Sequence, residues 1–364
     1  MEKQGIMAYS VFENKIDCCG CTACANICPH KAIDMRPDQE GFLYPHIEAD
    51  KCIGCGLCKR VCDFQKTRER KSAKVQVYAL KASADIRRKS TSGGAFVLLG
   101  DKVLDRGGVV YGAAFNAHMK NVHMRADSKA ERDRLCGSKY VQSELGNTFA
   151  DVKADLQAGR EVLFTGTPCQ CAGLKRYLSG VNTEHLLLVD ILCHGVPSPA
   201  VFSDYIDFVE HKRGKKVAQY HTRAKDKGYR FNEKIVYTDG SAEIKSRLAE
   251  VWSDLYYSLV ALRPACYHCR YADFSRVSDI TIADFWGIED VDKEFYDDKG
   301  ISLVIVSSDK GKDAFGGICE NCTVSEHTIE QAARKNPNLR APSKMPVERK
   351  AFGRIMWRRV ASTL

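Results

Sequence analysis

Apolar and polar positions follow two different patterns along the chain. In residues 31–48, KAIDMRPDQEGFLYPHIE, apolar runs flank the polar turn at 37–41, which predicts a β-hairpin. Beyond residue 75, short apolar runs alternate with segments whose apolar positions recur at helical spacing. The second pattern predicts an α/β core around a mixed sheet. A small unit followed by a larger α/β unit places the whole chain in the α+β class.

The larger unit is predicted element by element. Strands are expected over 75–81, 109–115, 161–164, 186–192, 280–282 and 301–306. Helices are expected over 94–104, 149–158, 169–178, 199–211 and 250–262, with a last helix or turn over 309–319. The region 217–245 is expected to be antiparallel and polar.

Composition shifts divide the chain into four parts. We predict a cysteine-rich unit over 1–66, a linker over 67–74, the α/β unit over 75–340 and a basic tail helix over 341–364. The apolar side of that helix is expected to pack on the protein's own body, with a partner or membrane surface as the alternative. It carries Val347, Ala351, Phe352, Ile355 and Met356.

Charge and hydropathy limit the classes of function. Residues 1–66 carry eight basic and nine acidic side chains, so the net charge of +9 comes from the remainder. Basic surface suits a phosphate-bearing cofactor or an acidic partner, and no nucleic-acid recognition module is present. No apolar run reaches the ~18 residues of a membrane span, and the first fifteen residues lack an apolar signal core. A cytoplasmic protein without a transmembrane segment is expected.

Nine of the seventeen cysteines lie between residues 18 and 62, and eight of the nine form two copies of C-x2-C-x2-C-x3-C offset by 34 residues. This is the bacterial two-cluster ferredoxin pattern, in which the fourth cysteine of each copy ligates the other [4Fe-4S] cluster. Common zinc frameworks do not have this spacing. We predict two clusters with interlocked ligands, Cys18, Cys21, Cys24 and Cys62 for the first and Cys52, Cys55, Cys58 and Cys28 for the second. Cys19 is off the spacing and is predicted to be an unligated structural thiol.

Four further cysteines stand at the ends of predicted elements. They are Cys169, Cys193 and the pair Cys266 and Cys269. Such positions can converge on a third cluster, although spacing alone does not establish it. A zinc site that joins the last pair to Cys319 and Cys322 is the alternative, but the gap between the pairs exceeds the ~15–20 residues typical of that pattern.

Short motifs give the chain a family resemblance from about residue 75 onward. It resembles the beta subunit of coenzyme F420-reducing hydrogenase and the flavin-bearing subunits of F420 dehydrogenases. The motifs are SGG at 92–94, GSKYVQS at 137–143, GTPCQ at 166–170, CHG at 193–195, the Cys266/Cys269 pair, TRAKDKGYRF at 222–231, SDITIADFWG at 278–287, KGISLVIV at 299–306 and NPNLRAPS at 336–343. The resemblance implies a bound FAD and a third [4Fe-4S] cluster on Cys169, Cys193, Cys266 and Cys269. The remaining cysteines, Cys136, Cys171, Cys319 and Cys322, are read as structural.

The flavin site is expected where the motifs offer glycine amides, hydroxyls, a cation and an aromatic ring. A glycine turn before a helix lets backbone amides approach an anion, and a strand end at the carboxyl edge of a sheet is a common ligand position. A plain turn is the alternative for the first motif. The candidates are Ser92, Gly93, Gly94, Ser138, Lys139, Tyr140, Gly166, Thr167 and Asp284.

These features predict an iron–sulfur flavoprotein oxidoreductase. It would exchange a hydride with a small organic donor or acceptor, with the deazaflavin coenzyme as one candidate, and pass electrons to ferredoxin-type clusters and a redox partner protein or ferredoxin. Arg223, Lys225, Lys227 and Arg230 would meet an acidic substrate or phosphate, or lie solvated. The alternative is a non-catalytic electron-transfer subunit of a larger redox complex.

Overall fold

The computed structural model describes residues 10–68, 74–226, 228 and 232–353. Residues 69–73 of the predicted linker and residues 354–364 of the predicted tail helix lie outside these residues. So do Lys227 and Arg230, and Ile355 and Met356 of the tail. Within the described part of the chain, no helix is long and apolar enough to cross a membrane.

The N-terminal unit is built from two matching halves. Helices α1 (Ala23–Ile27) and α2 (Leu57–Val61) are offset by the same 34 residues as the cysteine motifs. Strands β1 (Ile33–Pro37) and β2 (Leu43–Ile47) form the antiparallel hairpin that the sequence predicts. The Asp38 carboxylate closes the turn by accepting the amide hydrogens of residues 40 and 42 at 3.0 Å. Two 3₁₀ turns, Lys15–Asp17 and Asp63–Gln65, flank the unit.

An eight-stranded mixed sheet forms the body, in the order β13-β3-β12-β11-β7-β6-β4-β5. The inner strands β11, β7, β6 and β4 are parallel, and the outer pairings are antiparallel. The bounds are β3 Gln76–Ala82, β4 Val109–Phe115, β5 Asn121–Ala126, β6 Val162–Gly166, β7 Leu186–Ile191, β11 Ile280–Asp284, β12 Ser302–Val306 and β13 Cys322–His327. The α+β class and the mixed sheet predicted from the sequence are therefore confirmed.

Helices cover both faces of this sheet because successive strand residues point to opposite faces. In β6, Phe164 faces α6 and α7, whereas Leu163 faces the side of α4 and α11. The helices of the body are α3 Ala84–Lys89, α4 Ala95–Leu104, α5 Lys129–Leu135, α6 Thr148–Gln157, α7 Pro168–Tyr177, α8 Pro199–Arg213, α9 Arg247–Tyr257, α10 Ile288–Val291, α11 Asp309–Gly316 and α12 Ile329–Ala332. Three 3₁₀ turns complete it, Pro264–His268, Cys319–Asn321 and Pro337–Leu339.

A second, three-stranded antiparallel sheet packs on α8 and α9 around its own apolar cluster. Its strands are β8 Val217–His221, β9 Lys234–Tyr237 and β10 Ala242–Ile244, in the region predicted to be antiparallel. The described start of the tail packs on the protein, since Phe352 joins this cluster and the buried Arg349 pairs with Glu40 at 2.9 Å.

The N-terminal unit shares a hydrophobic core with one face of the large sheet. Cys24 and Val61 of the unit belong to the same cluster as Phe149 and Leu174 of the body. Helix α7 lies so close to the unit that a Cβ at Gly173 would be 2.8 Å from Cys21 Sγ. The two units are therefore joined by packing as well as by the chain.

Six short elements of the body were not predicted, and one helix was predicted too long. The six are strands β5 and β13 and helices α3, α5, α10 and α12, which are too short or too polar to give a clear apolar pattern. Helix α9 ends at Tyr257 rather than at residue 262, and Leu259 takes a left-handed conformation with φ 61°.

A buried ion pair supports the centre of the sheet. Asp190 in β7 accepts from Arg276 at 2.6 Å, with side-chain exposures of 0% and 2%. We expect Asp190→Ala to lower the free energy of unfolding by about 3–5 kcal/mol, because it leaves a buried guanidinium uncompensated. Urea denaturation followed by circular dichroism measures the loss. Asp85→Ala breaks the exposed pair with Arg88 and should cause no measurable loss; equal effects of the two substitutions would contradict the prediction.

Candidate functional site

A cavity of about 480 Å³ opens at the carboxyl edge of the parallel strands. Gly166 ends β6, Ile191 ends β7 and Asp284 ends β11, and all three line it. The carboxyl ends of neighbouring parallel strands meet at one edge, which is where open α/β sheets commonly bind ligands. The loops before α4 and after α5, the end of α9 and residues 193–196 complete the walls.

The structure brings all but one of the predicted flavin residues to this cavity. Those that line it are Ser92, Gly94, Ser138, Lys139, Tyr140, Gly166, Thr167 and Asp284. Gly93 instead packs on the sheet, where a Cβ would lie 2.1 Å from the carbonyl oxygen of Leu80. Its amide donates to Ser302 Oγ at 2.9 Å. The glycine is therefore required by packing on β3 and β12, and this amide is not directed at an anion.

Lys139 lies at the cavity but directs its ammonium group elsewhere. Its Nζ donates to the carbonyl oxygens of Arg134, Leu135 and Cys136 at 2.7–3.2 Å, at the C-terminal end of α5. Burial lowers the pKa of Lys139 to about 8. This side chain caps a helix and holds the 137–141 loop against it.

Basic side chains from the 222–226 segment hold the opposite wall. Arg223 is buried, ion-paired with Asp284, and stacked with its Cζ 5.3 Å from the Trp286 ring centroid. Lys225 donates to the carbonyl oxygens of Arg87, Ser92 and Lys299 at 2.5–3.2 Å. Burial lowers its pKa to about 8. The solvated alternative is therefore wrong for Arg223 and Lys225.

Aromatic rings form a further wall that sequence reasoning missed. Tyr140 stacks on Tyr256 with ring centroids 4.1 Å apart and an interplanar angle of 3°. Tyr257 meets Tyr140 edge-on at 5.8 Å. Tyr256 and Tyr257 of α9 both line the cavity. The helical periodicity of the sequence predicted only that they belong to a helix.

A buried histidine network forms the floor, and it too was missed. His123 Nε2 donates to the Thr165 carbonyl oxygen at 3.0 Å, and Ser143 Oγ donates to Nδ1 at 2.8 Å. Gln170 Nε2 donates to the same hydroxyl at 3.0 Å. Burial lowers the pKa of His123 to about 4, so the ring is neutral at physiological pH. A single histidine in a short strand gives no indication in the sequence that it belongs to a buried hydrogen-bond network.

Two small cavities in the N-terminal unit match the two predicted ligand sets. One is lined by Cys18, Cys21, Cys24 and Cys62, and the other by Cys28, Cys52, Cys55 and Cys58. Each set thus combines three cysteines of one motif with the last cysteine of the other, as the interlocked pattern requires.

The electrostatics of the first set fit a metal cluster. Burial, followed by the neighbouring Cys21, Cys18 and Cys62, raises the pKa of Cys24 well above its usual value. Four such sulfurs can ionise together only if a cation compensates them, as iron does. Burial also raises the pKa of Cys18, and the Arg263 charge and a hydrogen bond from the Gly20 amide oppose this shift.

The remaining candidate ligands converge behind the large cavity. Cys193 lines that cavity, and its pKa is raised by burial and then by Cys266, Cys169 and Cys269. Burial likewise raises the pKa of Cys266 to about 12, with Cys169 and Cys269 contributing. Four partly buried sulfurs from three separate elements therefore lie close enough to influence one another, and this donor set suits a third cube.

One thiol connects the two groups of cysteines. The Cys19 thiol lies within hydrogen-bonding reach of both Cys169 and Cys21, and its interaction with Cys169 lowers the pKa of that residue to about 7. Cys169 also lines the cavity of the first ligand set. Cys19 was predicted to be only a structural thiol, but it lies between two candidate cluster positions.

The other cysteines bond to nearby backbone. Cys319 Sγ donates to the Phe315 carbonyl oxygen at 3.2 Å and Cys322 Sγ to that of Ile318 at 3.4 Å, and both pack on the opposite face of the sheet. The zinc alternative that joins them to Cys266 and Cys269 is therefore wrong. In the described ranges, no group of three Cys, His, Asp or Glu side chains is arranged to hold a single metal ion.

A two-cluster ferredoxin-type unit packed on an α/β body with a cavity at its strand ends defines an iron–sulfur protein. Residues 17–66 match the family model of the 4Fe-4S dicluster domain. Residues 159–332 match the family model for the C-terminal part of the coenzyme F420 hydrogenase/dehydrogenase beta subunit. The chain belongs to this beta-subunit family and carries an N-terminal ferredoxin-type domain.

Curated relatives match over short stretches. An uncharacterized ferredoxin of Methanocaldococcus jannaschii is 36% identical over 64 residues, 18% of this chain and 33% of its own length. A polyferredoxin-like protein of the same organism is 38% identical over 53 residues, 12% of this chain and 32% of its own length. The chain thus spans about a third of these two relatives. Ketoisovalerate oxidoreductase subunit VorC of Methanothermobacter marburgensis is 33% identical over 57 residues, 15% of this chain and 71% of its own length.

A solved structure is similar over most of the chain. It is a chain of the xenon-derivatized F420-reducing [NiFe] hydrogenase complex from Methanosarcina barkeri, with a TM-score of 0.49 and 15% identity. The similarity covers 82% of this chain and 94% of the other.

The neutral His123 predicts a specific pH dependence of stability. Its folded pKa of about 4 lies below the ~6.5 of an unfolded histidine, so the unfolded chain binds the additional proton between these values. Its contribution to stability is complete above pH 6.5 and is lost as the pH falls toward 4. Between pH 7.5 and 5.0 we expect the wild type to lose about 2 kcal/mol more unfolding free energy than His123→Gln.

Urea denaturation at the two pH values, under anaerobic conditions, measures this difference. The control is His118→Gln, which replaces an exposed histidine and should leave the pH dependence of the wild type unchanged. A His123→Gln profile parallel to that of the wild type would contradict a neutral buried ring.

Proposed function

We propose that the chain is an electron-transferring flavoprotein with FAD in the large cavity and three [4Fe-4S] clusters on the twelve predicted cysteines. It would move electrons between an organic hydride donor or acceptor and a redox partner protein. One observation carries the proposal. Cys193 lines the large cavity, Cys169 lines the first N-terminal cavity, and both belong to the same group of facing sulfurs.

When bound, a flavin exchanges a hydride with an organic partner and exchanges single electrons with iron–sulfur clusters. The residues of this chain would position the flavin and the iron–sulfur clusters and exclude water between them. The stacked Tyr140 and Tyr256 offer an aromatic face to a planar ring, and Ser138 and Thr167 offer hydroxyl groups. The Arg223–Asp284 pair adds a fixed dipole to the same wall.

The histidine network supports the floor of the proposed flavin site. Ser143 and Gln170 lock the orientation of His123, and Gln170 Oε1 accepts the Thr167 amide hydrogen at 2.9 Å. The network thereby joins the floor to the loop between β6 and Cys169. A rigid floor keeps a bound ring at a constant distance from the cysteine sulfurs behind it.

The alternative is a non-catalytic electron-transfer subunit of a larger redox complex. The match to VorC, which its name describes as a subunit of an oxidoreductase, favours it. Steady reduction of an artificial acceptor by the isolated holoprotein would count against this alternative. The donors to compare are the deazaflavin coenzyme, NAD(P)H and reduced ferredoxin, and the one that bleaches the flavin identifies the organic partner.

The cofactor content of the anaerobically purified chain tests the proposal. We expect about 12 iron, about 12 sulfide and about one FAD per chain, since each cube contains four irons and four sulfides. Cys169→Ser should lower iron to about 8 and keep the flavin. Cys171→Ser changes a neighbouring buried thiol that bonds the Val189 carbonyl oxygen and should retain all the iron. Absence of FAD, or equal iron in the two variants, would contradict the proposal.

A further inference from the structure

The second ligand set reaches the protein surface. Cys55 is the exposed member of all seventeen cysteines, and each of the others is at least partly buried. Beside it, the Ile53 side chain is 66% exposed, in the same cavity lining as Cys52 and Cys58. A large aliphatic side chain at this exposure, in the middle of a ligand loop, is typical of the apolar centre of a transient interface.

Exposed basic residues adjoin the segments that line this cavity. Lys51 lines it, Lys31 lies between the lining residues His30 and Ala32, and Lys59 and Arg60 follow Cys58. The exposed acids in the adjoining sequence are Asp50 and Asp34, and Asp34 pairs with Arg36. In the described ranges none of the four bases takes part in an ion pair. The whole N-terminal unit carries one more acid than bases, so the basic surface here is a local feature and not a consequence of composition.

We propose that the surface formed by Ile53 and the four bases docks an acidic protein that carries a one-electron redox centre. The proposal rests on the proposed function, because it assigns the partner that would exchange electrons with the Cys28, Cys52, Cys55 and Cys58 cluster. Opposite charge steers the two proteins together, and Ile53 is buried at the centre of the contact. The interface is small and its affinity falls with salt.

The test uses the holoprotein and an acidic bacterial 2[4Fe-4S] ferredoxin as the probe. Binding is measured by calorimetry at low and at physiological ionic strength. Lys51→Glu/Lys59→Glu should weaken binding by about tenfold or more and flatten the salt dependence. The matched control, Lys212→Glu/Lys312→Glu, makes the same change of charge at exposed positions on α8 and α11 and should bind as the wild type does.

Ile53→Ser removes the apolar tip without a change of charge and should also weaken binding. Iron analysis of each variant separates a lost cluster from a lost contact. If the wild type does not bind the probe, or if the two charge reversals act equally, the docking surface is overturned. Failure of the proposed function is distinct, because it would appear as missing iron or flavin in the wild type.

A second, independent observation concerns Arg263, whose side chain is fully buried where the N-terminal unit meets the body. Its Nε donates to the Cys18 carbonyl oxygen at 2.8 Å, and Nη2 donates to the Leu43 carbonyl oxygen at 3.0 Å and approaches Cys18 Sγ at 3.6 Å. Nη1 donates to Gln142 Oε1 at 3.1 Å, and the Tyr44 ring centroid lies 4.1 Å from Cζ.

In the described part of the chain no carboxylate pairs with this guanidinium. A fully buried, unpaired cation is costly, so its compensating charge must come from another group. The ionisable groups that act most strongly on its charge are Cys18, Tyr44, Cys19 and Cys266. An anionic cluster held by Cys18, Cys21, Cys24 and Cys62 supplies the missing negative charge.

We infer that Arg263 is a positioning residue that raises the reduction potential of that cluster. A fixed positive charge stabilises the reduced cluster, which carries one more negative charge, over the oxidised one. The same side chain bonds the backbone of both the cysteine loop and the hairpin, so it also holds the cluster at the junction with the body.

Potentiometric titration followed by electron paramagnetic resonance tests this inference on the full chain. Arg263→Gln should shift the midpoint potential of one N-terminal cluster to more negative values and leave the other unchanged. Arg263→Lys keeps the charge and should shift it less. If Arg263→Gln loses the cluster, the midpoint potentials of Arg263→Lys and Gln142→Leu are compared instead. Gln142→Leu keeps the guanidinium, so we expect it to change the midpoint potential less than Arg263→Lys does. Unchanged midpoint potentials in variants with full iron content would overturn the inference.

Discussion

The close contact between helix α7 and the loop that carries Cys21 is the constraint on which the rest of the structure depends. Gly173 permits it, because any side chain there would overlap the Cys21 sulfur. The same helix begins with Cys169, and the strand before it ends at the large cavity. One strand–helix unit thus sets the spacing between the cavity, the central sulfurs and the ferredoxin-type unit. A larger residue at 173 would move all three apart.

Several buried arginine side chains bond polar groups of distant elements inside the body. The positive excess of the sequence could be taken for a basic surface, yet several of these groups are inside the fold. Each replaces water with carbonyl oxygens, carboxylates or sulfurs, so the free energy cost of burying the charge is offset. These buried or largely buried bases are Arg87, Arg132, Arg223, Arg263, Arg276 and Arg349. The cluster of exposed, unpaired bases around Ile53 contrasts with this arrangement.

Local sequence patterns predicted most of the regular structure. The hairpin, the parallel strands and helices α4, α6, α7 and α8 agree with the structure to within a few residues, because each has a clear apolar period of its own. The partition of the eight N-terminal cysteines between two cavities also agrees, since the interlocking follows from the repeat itself. Strands β5 and β13 were missed, because their residues pair at the edges of a sheet and carry few apolar side chains.

The sequence alone determined what is local: the spacing of the ferredoxin-type motifs, the turn at 37–41 and the order of strands and helices. Tertiary structure decided what depends on distance between remote residues. It directed Lys139 toward a helix end and Gly93 into the sheet, and it placed Cys19 between Cys21 and Cys169. It also buried Arg263 beside a cysteine 245 residues away. Periodicity reports which face of an element is apolar, but only packing decides which polar groups from distant elements meet inside.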